Sequence, residues 1–74
     1  MSSRKVLVDN LNPHTKKDTL YDEFGNCGNV RDIMLSTGGY AYITMSSNEE
    51  AERAVKGYNE TELEGNKIKV SLST

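Results

Sequence analysis

Two tyrosines, Tyr40 and Tyr42, lie two positions apart in a segment where apolar and polar residues alternate. Residues two apart on a β-strand project from the same face of a sheet, so this spacing predicts neighbouring rings on one surface. An exposed ring can stack with an unpaired nucleic-acid base, which contributes about 1–3 kcal/mol per base. The alternative is that both are ordinary strand tyrosines, covered by a terminal tail or by a partner protein.

The other residue types that could do chemistry favour structural roles. One cysteine, Cys27, and one histidine, His14, exclude an internal disulfide and a multi-cysteine metal site. We expect Cys27 to be a small buried apolar side chain and His14 to be solvated. The carboxylate pairs at 22–23 and 49–50 lie in polar helical turns with no apolar pocket around them. The sequence therefore predicts no catalysis, no metal and no cofactor.

Hydrophobic periodicity and turn residues place these positions on six elements. The pattern predicts strands over 5–10, 30–35, 40–45 and 68–72, a helix over 16–25, and a second helix whose apolar stripe ends at Tyr58. Capping-box patterns begin both helices, at Thr15 with Asp18 and at Ser47 with Glu50. The glycines at 38–39 suit a tight hairpin turn with positive φ. Residues 59–66 are predicted to form a polar loop that only Leu63 anchors.

The element order β-α-β-β-α-β points to an α+β, ferredoxin-like fold in one domain over residues 4–73. It has a four-stranded antiparallel sheet of order 4-1-3-2. Right-handed crossovers place both helices on one face and leave the other face bare. Alternation along each strand predicts these inward side chains: Val6, Val8, Ile33, Leu35, Ala41, Ile43, Met45, Ile68, Val70 and Leu72. The outward side chains are the candidate binding residues: Lys5, Leu7, Asp9, Met34, Tyr40, Tyr42, Lys67, Lys69, Ser71 and Ser73.

The segment over 38–45, Gly-Gly-Tyr-Ala-Tyr-Ile-Thr-Met, resembles the octapeptide of the RNA recognition motif family. Val-Leu-Val-Asp-Asn-Leu at 6–11 resembles the hexapeptide of the same family, and the likeness covers residues 4–73. It implies a single-stranded RNA-binding module with Tyr40 and Tyr42 as stacking platforms. The short hairpin and the ending over 68–73 are similar to SR-type splicing factors and heterogeneous nuclear ribonucleoproteins. That similarity implies mRNA processing, in the nucleus and also in the cytoplasm.

Three positions depart from the family pattern. Gly38 replaces a basic residue that contacts phosphate, and Leu7 replaces an aromatic that stacks a base. Met45 replaces the last aromatic of the octapeptide, without consequence because it points into the core. The loss of one stacking platform and one phosphate contact predicts weak binding, micromolar or worse.

The charge balance argues at first against a nucleic-acid partner. Nine Lys and Arg face eleven Asp and Glu, for a net charge of −2. Among the acids, however, strand parity places only Asp9 and Asp32 on or near the bare face, and the other nine behind the sheet. With about three phosphates neutralised, the salt dependence should be shallow, with a slope near −2 for a single strand.

Rival functions remain open to the same fold. A protein-interaction domain could grip a peptide on its open face or its helix face, and its acidic helices could dock a basic partner. An acylphosphatase-like enzyme would need a positioned Arg after the first strand, and a copper chaperone would need paired cysteines there; residues 10–14 have neither. No apolar run approaches the length of a membrane span, so we expect no membrane partner. The expected partner is single-stranded RNA, with single-stranded DNA weaker, bound by a monomer.

Overall fold

The computed structural model of the chain describes residues 4–73. Within this range the chain forms six strands and two helices. In chain order they are β1 (Lys5–Asp9), α1 (Lys17–Phe24), β2 (Val30–Leu35), β3 (Ala41–Met45), α2 (Asn48–Tyr58), β4 (Glu62–Leu63), β5 (Asn66–Lys67) and β6 (Lys69–Ser73). Neither helix of this range is long and apolar enough to cross a membrane.

Four strands form one antiparallel sheet in the order β2-β3-β1-β6. Strand β6 is the fourth of the predicted strands, so the predicted order 4-1-3-2 is confirmed. Helix α1 packs on β2, and α2 packs on β6, β1 and β3. Both helices cover the same face of the sheet. Along each strand the buried side chains lie on that face, whereas the residues that alternate with them are not buried. The ferredoxin-like α+β prediction is therefore correct, and the opposite face of the sheet is open.

The core lies between the sheet and the helices. Val6 and Val8 of β1 and Ala41, Ile43 and Met45 of β3 are fully buried. Each large apolar side chain buried in this way contributes about 1.5–3 kcal/mol. The rings of Phe24 and Tyr58 approach to 4.6 Å between centroids and join the ends of the two helices. This packing fixes β1 and β3 as rigid supports for their outward side chains.

One strand prediction about the core is wrong. Leu72 shares a face with Val6, its cross-strand partner, yet its side chain is 41% exposed. Strand β6 is an edge strand, so Leu72 has a neighbouring strand on one side only. The helix layer covers Val70 and leaves this end of the strand open.

The two capping predictions have different outcomes. Ser47 caps α2 as predicted, because its hydroxyl accepts a hydrogen bond from the backbone N–H of Glu50 at 3.2 Å. The capping box at α1 is wrong, since the helix begins after Lys16 without any side-chain cap. Thr15 is instead buried and donates its hydroxyl hydrogen bond to the Glu64 carboxylate at 2.6 Å. A tertiary contact with β4–β5 has replaced the local one.

The loop predicted over 59–66 contains a hairpin that the sequence did not reveal. Strands β4 and β5 pair through Glu62 with Lys67 and through Leu63 with Asn66. Leu63 is buried, as expected, and anchors this hairpin to the core. Lys67 was predicted to point outward at the start of the last strand of the sheet. It belongs instead to this hairpin, because it pairs with Glu62 and β6 begins only at Lys69.

Candidate nucleic-acid interface

The open face is built from rows of side chains that run across the sheet. We use "open face" for the outward residues of β1, β2, β3 and β6 together with Tyr40, which immediately precedes β3. The central row follows the pairing of Met34 with Tyr42, Tyr42 with Leu7, and Leu7 with Ser71. Paired residues share a face of the sheet, so this row has an aromatic ring at its centre between two apolar side chains.

Polar rows lie on either side of the central row. One follows the pairing of Asp32 with Thr44, Thr44 with Lys5, and Lys5 with Ser73. The other contains Asp9 and Lys69, which are direct partners across β1 and β6. The open face therefore combines an apolar, aromatic centre with charged and hydroxyl-bearing borders.

The two tyrosines form one aromatic unit. Their ring centroids are 5.9 Å apart and the planes meet at 86°, an edge-to-face arrangement. Tyr40 is 38% exposed, and Met34 beside Tyr42 is 63% exposed, so apolar surface is open to a ligand. Because the residues flanking Tyr42 in β3 are fully buried, its backbone is fixed by the core.

The hairpin between β2 and β3 positions Tyr40. The Ser36 N–H donates to the Tyr40 carbonyl at 2.9 Å, and the Leu11 N–H donates to the Gly39 carbonyl at 2.8 Å. Gly39 has a φ of 85°, whereas Gly38 does not share the positive φ predicted for the pair. A Cβ at Gly38 would lie 3.2 Å from the Tyr40 ring. The glycine found in place of a basic residue thus gives the ring room to lie against the turn.

The cationic border is partly neutralised. The Lys5 ammonium lies 6.0 Å from the Tyr42 ring centroid, within range of a cation–π interaction. Lys67 and Lys69 both contact the carboxylate of Glu60, at 4.0 and 3.9 Å. The expectation that all nine remaining acids lie behind the sheet is therefore wrong for Glu60. Its backbone turns back toward β5 and β6, a tertiary arrangement with no local sequence signal.

The structure places all but one of the predicted site residues on the open face, and the exception is Lys67. Nine of them lie on the open face as defined above: Lys5, Leu7, Asp9, Met34, Tyr40, Tyr42, Lys69, Ser71 and Ser73. Lys67 lies beside that face on β5, where its carbonyl accepts from the Asn10 side-chain amide at 2.8 Å. Thr44, which is not among the predicted site residues, also lies on this face, in the polar row of Lys5.

Groups outside the open face have structural partners. Burial raises the pKa of the Cys27 thiol, an effect that the nearby Arg53 guanidinium opposes. The Arg53 side chain donates to the Cys27 carbonyl at 2.9 Å. The Glu50 carboxylate accepts from the Ser46 hydroxyl and from the backbone N–H groups of Ser46 and Asn29. These bonds, the Ser46 hydroxyl foremost, hold the pKa of Glu50 below its ordinary value. In residues 4–73, no cluster of three or more His, Cys, Asp or Glu side chains is placed to hold a metal ion.

A four-stranded sheet backed by two helices, with paired aromatic rings on its open face, defines a small α+β binding domain. Residues 6–69 match the sequence profile of the RNA recognition motif, and the chain belongs to that family. The resemblance carried by the two short motifs is therefore confirmed.

Known proteins similar to this chain agree with that assignment. The chain is 33% identical over 76 residues to glycine-rich RNA-binding protein 1 of Mycosarcoma maydis, covering 93% of this chain and 43% of that protein. It is 32% identical over 75 residues to serine/arginine-rich splicing factor x16 of Drosophila melanogaster, covering 99% of this chain and 29% of that protein. Among solved structures, the RRM of RNA15 superimposes with a TM-score of 0.92 at 25% identity, covering all of this chain and 93% of that one. The chain thus spans less than half the length of these two curated relatives.

Proposed function

We propose that residues 4–73 form one domain that binds single-stranded RNA on the open face, without catalysis. The observation that carries the proposal is the edge-to-face pair of Tyr40 and Tyr42, immediately before β3 and within it, with apolar surface left exposed beside the pair. Tyr40 is exposed and Tyr42 is half-buried, so each ring still has open surface. Such rings suit unstacked bases, because every base offers a π-face. Double-stranded RNA hides those faces, so the ligand is a single strand of about two to four nucleotides on the sheet.

Each part of the open face has a role in this proposal. Tyr40 and Tyr42 stack bases or the sugar between them, while Leu7 and Met34 give apolar contact without stacking. Lys5, Lys67 and Lys69 neutralise phosphates. The polar groups of Asp9, Ser71 and Ser73 bond to base edges or sugar. The 2′-hydroxyl is an added hydrogen-bond partner on RNA, so single-stranded DNA binds more weakly.

The experiment that tests the proposal is NMR shift mapping with a panel of short single-stranded RNA oligomers. Amide shifts should concentrate at Leu7, Met34, Tyr42 and Ser71 in the central row, and helix residues such as Glu49 should stay unmoved. Duplex RNA of the same composition is the control and should give smaller shifts on that row. A panel that leaves the central row unshifted at every sequence and at low salt would rule the proposal out.

The named relatives support a proposal for the biological setting. Both curated relatives are longer proteins, and one is named a splicing factor. We therefore place this domain in a larger protein of pre-mRNA or mRNA processing, nuclear and also cytoplasmic. The isolated domain is expected to be a monomer, which light scattering during size exclusion will test.

A second partner fits the other side of the molecule. Four exposed acids lie on the surface of α1 and α2, away from the open face: Asp18, Asp22, Glu49 and Glu52. A basic peptide is the ligand that such a surface attracts. Replacing Asp22, Glu49 and Glu52 by their amides would abolish that binding and leave RNA binding intact.

A further inference from the structure

The carboxylate of Glu60 lies between two lysines at the border of the open face. Its Oε1 is 4.0 Å from the Lys67 ammonium and its Oε2 is 3.9 Å from the Lys69 ammonium. All three side chains are solvent-exposed, at 55% for Glu60, 65% for Lys67 and 61% for Lys69. Lys69 also has Asp9 as its direct partner on β1. Formal charge at this corner therefore sums to zero, although two of the lysines suited to phosphate lie there.

The backbone holds Glu60 in this place. Its N–H donates to the Ile68 carbonyl at 2.8 Å, and the Ile68 N–H donates to the Thr61 carbonyl at 2.9 Å. Ile68 is the residue between the two lysines, so these bonds fix Glu60 relative to both. Glu60 has a φ of 63°, in the left-handed region that favours Gly and Asn. Glutamate is therefore disfavoured there by its backbone conformation, and its side-chain charge is the property that distinguishes it from Gly or Asn.

The neighbouring hairpin is tied to the sheet, which keeps the lysines and Glu60 together. The Asn10 side-chain amide donates to the Lys67 carbonyl at 2.8 Å, and the Asn66 amide donates to the Asn10 carbonyl at 3.2 Å. The Asn12 amide donates to the Glu64 carbonyl at 2.9 Å. These bonds join β4–β5 to the segment after β1, so the opposed charges form a preorganised corner.

We propose that Glu60 is a built-in competitor of RNA phosphate at Lys67 and Lys69, and that it sets the affinity of this side of the open face. This inference rests on the proposed RNA-binding function. Exposed ion pairs stabilise a fold little, so folding does not account for the arrangement. A phosphate that approaches either lysine meets the Glu60 carboxylate and must displace it. Binding at this border is thereby made dependent on the stacking that the tyrosines supply.

The test is to remove the charge of Glu60 and to measure RNA affinity. Glu60→Gln should tighten binding to a degenerate single-stranded RNA pool by about two- to thirtyfold, the scale of two exposed ion pairs. The salt dependence should steepen by about 0.7 for each lysine that gains a phosphate. Glu60→Asn makes the same charge change and suits the left-handed backbone, so it serves as a second variant. Glu49→Gln, on α2 behind the sheet, is the matched control and should change neither quantity.

A cycle with the lysines separates this inference from the proposed function. In a Lys67→Gln/Lys69→Gln background, Glu60→Gln should give no gain. The inference is overturned if Glu60→Gln still raises RNA affinity in that background. It is also overturned if the Glu60 variants have the same RNA affinity as Glu49→Gln. In both cases RNA binding that depends on Tyr40 still stands. A domain that binds no RNA at all overturns the proposed function and this inference with it.

Discussion

Replacement of the two tyrosines is the perturbation that most directly tests the open face. Each ring is expected to stack one base, a contribution of about 1–3 kcal/mol, so Tyr40→Ala and Tyr42→Ala should each weaken RNA binding by about 5- to 150-fold. The ring centroids lie 5.9 Å apart in an edge-to-face arrangement. We therefore expect a base stacked on one ring to contact the edge of the other as well. The double variant should therefore be non-additive by about 0.5–1 kcal/mol.

The fold should survive these substitutions. Tyr42 contributes cross-strand contacts with Leu7 and Met34, which are worth about 1 kcal/mol in a sheet. At about 0.05–0.15 kcal/mol per residue, a chain of 74 residues has about 4–11 kcal/mol of stability, so both variants should remain folded at room temperature. Amide NMR spectra and thermal melts check this before any affinity is interpreted.

The assay is fluorescence anisotropy with short single-stranded RNA at two salt concentrations. Tyr21→Ala is the matched control, because Tyr21 on α1 is 40% exposed and Tyr40 is 38% exposed. Stacking carries no net charge, so the fold-loss of the face variants should be the same at both concentrations. A loss no greater than that of Tyr21→Ala, in a folded protein, would refute the stacking argument. A loss that disappears at high salt would show that the rings act through neighbouring charge.

Three further outcomes follow from the same structure. Leu7→Phe adds a ring next to Tyr42 in the central row, so RNA should bind about tenfold tighter, measured by the same anisotropy assay. Gly39→Ala puts a side chain at φ 85° and should lower the free energy of unfolding by about 1–2 kcal/mol in urea titrations. Glu50→Gln tests a pH dependence. Hydrogen bonds to the Glu50 carboxylate lower its pKa, so its contribution to stability is complete above its ordinary value of 4.5 and is lost as pH falls through the lower folded value.

These three outcomes have separate controls. Leu7→Ala should weaken RNA binding, and a Leu7→Phe protein that binds no better than wild type would contradict the central-row geometry. Gly65→Ala offers a second glycine with positive φ and open space around it, which isolates the backbone effect from crowding. Glu50→Gln should unfold more readily than wild type at neutral pH, and the difference should shrink at acid pH. A difference independent of pH would contradict the role given to the carboxylate.

The sequence determined the elements of the sheet and the character of its open face. Alternation in β3 separates Ala41, Ile43 and Met45 from the tyrosines, because a strand sends successive side chains to opposite faces. The Ser47 cap was equally local, since a hydroxyl placed before the helix needs only the N–H of a residue three positions on. Short-range rules of this kind act within a few residues and can be read from one chain.

Tertiary structure alone decided the details that depend on distant neighbours. Thr15 is a residue type that often caps a helix, but its hydroxyl donates a hydrogen bond to Glu64 of the β4–β5 hairpin instead. Leu72 has the parity of a core residue, but it lies on the edge strand β6 and its side chain stays 41% exposed. Glu60 reaches Lys67 and Lys69 because its backbone is bonded across the turn to Ile68. Sequence pattern fixes the face to which a side chain points, whereas packing between separate segments fixes what it meets there.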